Sequence, residues 1–176
     1  MQRQPLEPGR FGMIRCEIDS DVSAVRNVHL AAFPGNGEAG LVDALRENGH
    51  LSVSIVAEEN AGIVGHIAFS PVTVNGLDVA AVGLAPVSVL PEFQKQGIGS
   101  ELIRAGLQTC REAGFRIVVI LGEPDFYQRF GFQPAHRAGL ENEYQVRDEF
   151  MVLELEPSSL NGVSGLVRYG DEFSSL

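Results

Sequence analysis

The stretch Val87-Ser-Val-Leu-Pro-Glu-Phe-Gln-Lys-Gln-Gly-Ile-Gly-Ser100 joins two periodicities. Upstream, a β-rich apolar run from Val82 to Leu90 stops at Pro91. Downstream of Gln94-x-x-Gly97-x-Gly99, residues Ile98, Leu102, Ala105, Gly106, Thr109, Cys110 and Ala113 recur at helical spacing. The reading is strand, glycine turn, helix start. Such a turn aims free backbone N–H groups, at the positive end of a helix dipole, towards an anion. Glycines let the main chain approach phosphate oxygens because no Cβ intervenes. A Walker loop would need Gly-x4-Gly-Lys-Ser/Thr, which is absent. A dinucleotide fingerprint would need glycine at position 102, where Leu stands. The chain's single lysine, Lys95, lies inside this turn, although the net charge of the whole is −10.

Outward from the turn, the chain reads as alternating elements. Met13 to Ile18 is a first strand, and Asp19-Ser20-Asp21 offers N-cap candidates for a helix through Val22, Val25, Val28, His29 and Ala32. Phe33-Pro-Gly-Asn-Gly37 breaks it. Glu38 to Glu47 is a second helix, stopped by Asn48-Gly49. Ser52 to Glu58, a turn at Glu59–Gly62, and Ile63 to Val74 form a hairpin, and Asn75-Gly76 turns the chain into a strand from Leu77 to Leu84. After the helix that follows the glycine turn, Phe115 to Leu121 is a buried strand, so strand, helix and strand imply a parallel pair. A short helix within Glu123–Phe132, a strand from Phe150 to Leu155 and a short C-terminal strand within Val163–Tyr169 complete the order. The expected fold class is α/β (α+β), a mixed, mostly antiparallel sheet with a central parallel pair flanked by helices. The expected divisions are a polar arm over 1–12, one domain over 13–156 and an extension over 157–176 packed on or near it.

Composition narrows the function classes. A chain of 176 residues, 44% hydrophobic and 20% charged, is one globular domain with a real core. No apolar run approaches the roughly eighteen residues of a membrane span, and the N-terminus has no apolar core of a secretory signal, so a cytoplasmic location is expected. The acidic balance argues against nucleic-acid and anionic-membrane partners. Cys16 and Cys110 read as free thiols of a reducing compartment. The four histidines (29, 50, 66, 136) lack ligand spacing, so no metal is expected, and no Gly-x-Ser-x-Gly elbow is present.

The glycine turn, with its upstream Val87-Ser88-Val89 and Pro91-Glu92, resembles the pyrophosphate-binding loop of the GCN5-related N-acetyltransferases (the GNAT superfamily), whose pattern is Gln/Arg-x-x-Gly-x-Gly/Ala. A second element, Phe126-Tyr127-Gln-Arg-Phe-Gly131-Phe132, is similar to that family's Tyr-x-x-x-Gly-Phe. The resemblance covers roughly residues 13 to 156. Further runs, including Ala68-Phe-Ser-Pro71 and Leu121-Gly-Glu-Pro124, look like a group of predicted N-acetyltransferases of undefined acceptor.

What the resemblance implies is an acyltransferase. Acetyl-CoA would be the co-substrate, passed directly to a small-molecule or peptide amine in a ternary complex. Main-chain groups of Val87, Ser88 and Val89 would pair with the pantetheine arm. The N–H groups of Lys95, Gln96, Gly97, Ile98, Gly99 and Ser100 would hold the pyrophosphate. An N–H near Val89 or Leu90 would face the thioester oxygen. Tyr127 would be the general acid; a phenol of pKa about 10 protonates a thiolate of about 8.5 only modestly uphill. The alternative is that Tyr127 only packs with Phe126, Phe130 and Phe132. The general base stays open among Glu38, His66, Glu123 and a water chain, and Glu38 with Asp43 would either attract an ammonium or simply be solvated charge. The other reading of the whole is a non-catalytic acyl-CoA-binding module. The segment Val163–Tyr169 stays open among covering the sheet, covering the acceptor groove and pairing across a homodimer.

Overall fold

The computed structural model describes residues 12–60 and 62–176. The expected polar arm over 1–12 therefore falls outside the described residues except for Gly12, as does position 61 of the first hairpin turn. The elements run in the order β1 (Met13–Cys16), α1 (Val22–Ala32), α2 (Gly37–Glu47), β2 (Val53–Glu59), β3 (Gly62–Val74), β4 (Leu77–Val89), α3 (Ile98–Glu112), β5 (Ile117–Leu121), α4 (Pro124–Tyr127), β6 (Gln133–Pro134), β7 (Leu140–Asn142), β8 (Phe150–Glu154) and β9 (Gly165–Arg168).

Boundaries follow local chemistry. α1 ends because Phe33 precedes Pro34, a position that disfavours helical backbone; Phe33 is extended at φ −116°, ψ 150°. α2 stops at Asn48 and Gly49, the latter left-handed at φ 73°. The expected cap at Asp19-Ser20-Asp21 is replaced by a 3₁₀ turn, and α1 has no side-chain cap. The Asp21 carboxylate instead binds Arg15 and the Ile18 N–H. β1 is shorter than expected, ending at Cys16, and Cys16 and Cys110 are both free thiols.

The strands form one sheet in the order β1-β2-β3-β4-β5-β8-β6, with β9 pairing both β3 and β7. β3 is buried without interruption from Val64 to Ser70 because helices cover both faces of the sheet. α3 lies on one face, where Gly106 rests on the Phe69 ring and Leu102 and Ile98 approach Gly65. α1 and α2 lie on the other, where Val25 and Val42 meet Val56 and Ala68. The runs Leu77–Leu84 and Val82–Leu90 prove to be one strand, β4. Its antiparallel register with β3 shifts between Ile67 and Phe69.

The expected parallel pair is β4–β5, and it is short. Ala81, Val82 and Gly83 pair with Ile117, Val118 and Val119, and there the two strands part. From Leu84 to Val89, β4 has a neighbour on the β3 side only. The C-terminal segment returns to the sheet: Arg168 and Val167 pair with Thr73 and Val74, Tyr169 lies against Gly83, and Phe173 packs on Leu41 and Leu45 of α2. β6 and β7 were not expected from the sequence.

Candidate active site

The parting of β4 and β5 opens a cavity of about 230 Å³ lined by Ala32, Phe33, Val87, Ser88, Val89, Gln94, Gly99, Ile103 and Phe126. One wall is thus the free edge of β4, one the end of α1, one the start of α3 and one α4. Main-chain geometry on the β4 wall is set by antiparallel alternation. Leu90 donates its N–H to the Val64 carbonyl at 2.8 Å, and Ser88 pairs with His66 in the same phase, so the N–H and C=O of Val87 and Val89 point to the open edge. Leu90, one of two candidates for a donor at the cavity, is therefore engaged elsewhere, which leaves Val89. The Val89 carbonyl accepts from Gln94 Nε2 at 2.9 Å.

Beyond Pro91, the turn places Lys95 and Gly97 in left-handed conformations, φ 60° and 90°. Gly97 precedes α3, and Glu101 is the first residue whose N–H finds a carbonyl, that of Gly97 at 3.1 Å. The N–H groups of Lys95, Gln96, Gly97, Ile98, Gly99 and Ser100 have no partner among the described residues. Six free donors at the positive end of a 15-residue helix make an anion nest. Arg129 lies over the Phe126 ring at 4.4 Å, adding positive charge beside the cavity.

Tyr127 sits behind Phe126 rather than on the cavity lining. Its ring packs edge-on against Phe126 and Phe132 and covers Gly122, where a Cβ would overlap the ring. Among the described residues its hydroxyl has no partner, yet it is not one of their sealed, unpartnered polar atoms, Ser70 Oγ and Glu172 Oε2. Burial pushes the phenol up to about 12. Donation to a thiolate of about 8.5 is then uphill by roughly 5 kcal/mol, steeper than an unperturbed phenol would give.

The base candidates separate in space. Glu123 is exposed at the start of α4 and its side chain caps nothing. Asp43 is occupied by Arg26 and Arg46. His66 is fully buried and does not line the cavity. Burial lowers its pKa, so it is not a group poised near neutrality. It is one link in a buried polar row that spacing could not reveal: Ser88 Oγ to His29 Nδ1 at 2.8 Å, His29 Nε2 to His66 Nδ1 at 2.8 Å, and His66 Nε2 to Ser54 Oγ at 2.7 Å. Ser54 in turn binds Glu17, which Arg46 holds at 2.5 Å.

The family model for the acetyltransferase (GNAT) domain matches residues 14–135. The uncharacterized N-acetyltransferase YhbS of Escherichia coli is 38% identical over 164 residues, 92% of this chain and 98% of the relative. The crystal structure of E. coli YhbS in complex with CoA superposes with a TM-score of 0.90 at 37% identity, covering 97% of this chain and 96% of that one. A GNAT family acetyltransferase from Brucella melitensis in complex with acetyl-CoA gives 0.77 at 39% identity, covering 91% and 96%. The chain belongs to the GNAT acetyltransferases and is an acyltransferase by family. Among its described residues no helix is long and apolar enough to cross a membrane.

Proposed function

We propose that this protein transfers the acetyl group of acetyl-CoA directly to an amine in a ternary complex. The observation that carries the reading is the coincidence of an unpaired β4 edge with six free N–H donors at the start of α3. The first suits the amide groups of a pantetheine arm laid down as an added strand, and the second suits a pyrophosphate. The open-edge main-chain groups of Val87 and Val89 hold the arm, those of Ser88 being paired to His66, and Lys95 to Ser100 hold the phosphates. The Val89 N–H faces the thioester oxygen, where negative charge develops as the amine adds. Relatives crystallised with CoA and acetyl-CoA support the donor's identity.

Tyr127 supplies the proton to the departing sulfur. With the phenol raised to about 12, it stays protonated across the working range. Transfer is concerted with C–S cleavage, because a fully formed thiolate would be too weak a base for it. The acceptor is a small-molecule or peptide amine, entering from the α1 side past Phe33.

Titration of acetyl-CoA into the protein, followed by thiol release over a panel of primary amines, tests the reading. Saturable binding with thiol release on at least one amine is expected. No binding overturns it, and binding without release on any amine leaves an acyl-CoA-binding module.

A further inference from the structure

The buried row behind Ser88 has a direction, and one charge fixes it. Its members come from five places in the chain: Ser88 on β4, His29 on α1, His66 on β3, Ser54 on β2 and Glu17 beyond β1. Both imidazoles are almost completely enclosed, at 1% and 0% exposure. Glu17 is an ionised carboxylate: against the cost of burial, the nearby His66 ring, the Ser54 hydroxyl and Arg46 hold it down at about 2. A carboxylate only accepts, so Ser54 must donate to Glu17. Ser54 Oγ then accepts from His66 Nε2–H. A neutral His66 has a bare Nδ1, which accepts from His29 Nε2–H. His29 Nδ1 is then bare as well and accepts the Ser88 hydroxyl proton. Burial holds both rings neutral, His29 down to about 3. The charged groups that act on the two rings are Glu17 and Arg46, and Arg46 also binds Asp43, which Arg26 holds in turn.

We infer that Ser88, His29, His66, Ser54 and Glu17 form a proton outlet, in which Ser88 offers the cavity a lone pair and accepts the N–H of the attacking amine. This rests on the acyltransferase reading. Each proton moves one place. As the amine nitrogen bonds to the carbonyl carbon, its proton passes to Ser88 Oγ. The Ser88 proton passes to His29 Nδ1, the His29 Nε2 proton to His66 Nδ1, the His66 Nε2 proton to Ser54, and the Ser54 proton to Glu17 Oε2. Glu17 releases it to solvent beside Arg46. The C–S bond breaks and sulfur takes the Tyr127 proton, which water replaces. The hops leave both rings as Nδ1–H, so once the products have left they run in reverse, Glu17 taking a proton from solvent and Ser88 giving one to cavity water, and the row is back at its resting tautomers. Ser88 is the group that touches substrate; the two histidines, Ser54 and Glu17 act through it as positioning and relay residues. The polarity also excludes Ser88 as a donor to the thioester oxygen.

Long-range ¹⁵N–¹H NMR of the histidine side chains in the full-length protein tests the direction without substrate. Both His29 and His66 are expected as neutral Nε2–H tautomers from pH 6 to 8, and Glu17→Gln is expected to admit the Nδ1–H form. An Nδ1–H tautomer or an imidazolium in the wild type at pH 6 overturns the proposal. The proton path is tested with the amine giving fastest thiol release. Ser88→Ala and Glu17→Gln should each lower kcat at least tenfold with acetyl-CoA affinity within twofold, and should straighten a curved wild-type proton inventory. An unchanged kcat in both variants overturns the outlet. Failure of the wild type to bind acetyl-CoA counts instead against the acyltransferase reading, and the tautomer measurement still decides the direction of the row.

Discussion

The side-chain amide of Gln94 donates to the main-chain carbonyl of Val89 at 2.9 Å, tying the glycine turn to the strand end beside it. The bond fixes the distance between the unpaired β4 edge and the N–H nest, the two surfaces that a single donor molecule must span together. Gln94→Ala should therefore weaken acetyl-CoA binding by about fivefold, the worth of roughly 1 kcal/mol for one hydrogen bond, with kcat nearly unchanged. Isothermal titration with acetyl-CoA and a KM-against-kcat comparison check this; a lowered kcat at constant KM would contradict it.

Tyr127→Phe should reduce kcat by about a hundredfold while leaving acetyl-CoA affinity and the melting temperature close to wild type. The hydroxyl has no protein partner to lose, and the ring contacts with Gly122, Phe126 and Phe132 survive. Because burial raises the phenol to about 12, its protonated form persists well above pH 10. The pH–rate profile should accordingly show no descending limb between pH 8 and 10, and a fall centred near 9 would assign the acid elsewhere.

α3 crosses the sheet at Gly106, whose Cα side faces the ring of Phe69, with Phe69 Cζ 2.7 Å from where a Cβ would stand. Alanine is the better helix former by about 1 kcal/mol, but here it must displace a fully buried ring. Overpacking prevails: Gly106→Ala is expected to destabilise the protein by about 1–3 kcal/mol and lower Tm by about 3–10 °C in calorimetry. Gly40→Ala, where an added Cβ meets nothing, serves as the control and should not lower Tm.

Acid should unfold the protein in two overlapping stages. His29 is lowered from 6.5 to about 3 in the fold, so the unfolded chain binds its proton first. Stability is full above pH 6.5 and falls as pH drops towards 3. Glu17 is lowered from 4.5 to about 2, so its contribution is full above pH 4.5 and falls as pH drops towards 2. Denaturant midpoints measured from pH 8 to pH 3 should decline first from His29 and His66, then more steeply once Glu17 begins to protonate. Glu17→Gln should flatten the second stage.

The sequence made legible what is local. The glycine turn, the helix behind it and the Asn75-Gly76 hairpin each rest on neighbours a few residues apart, and the parallel β4–β5 pair, whose partners lie 36 positions apart, follows from the strand, helix, strand order alone. The row from Ser88 to Glu17 does not: His29 and His66 lie 37 positions apart and His29 and Ser88 lie 59 apart. Each histidine by itself reads as an ordinary core residue. Spacing was silent about β6 and β7 because strands of two and three residues carry no period. β4 runs unbroken through Pro86, which the strand tolerates because Ala85 and Pro86 fall at the register shift between Ile67 and Phe69, outside the β3 ladder. Phe126 and Phe33 line the cavity, but the sequence places Phe126 only as a packing neighbour of Tyr127. Phe33 reads in the sequence only as the start of the Pro34-Gly-Asn-Gly37 break.

The parting of β4 from β5 after Gly83 leaves a sheet with a missing rung, and the surface it exposes is main chain. A molecule received there is read by carbonyls and amides that every residue possesses, so side chains along Leu84–Val89 are released from donor recognition. Ser88 is free to turn its hydroxyl inward to His29 for that reason. On the proposed function, the same backbone slot is compatible with many different linings on the α1 side, so choice of the acceptor would fall to residues that the donor never consults.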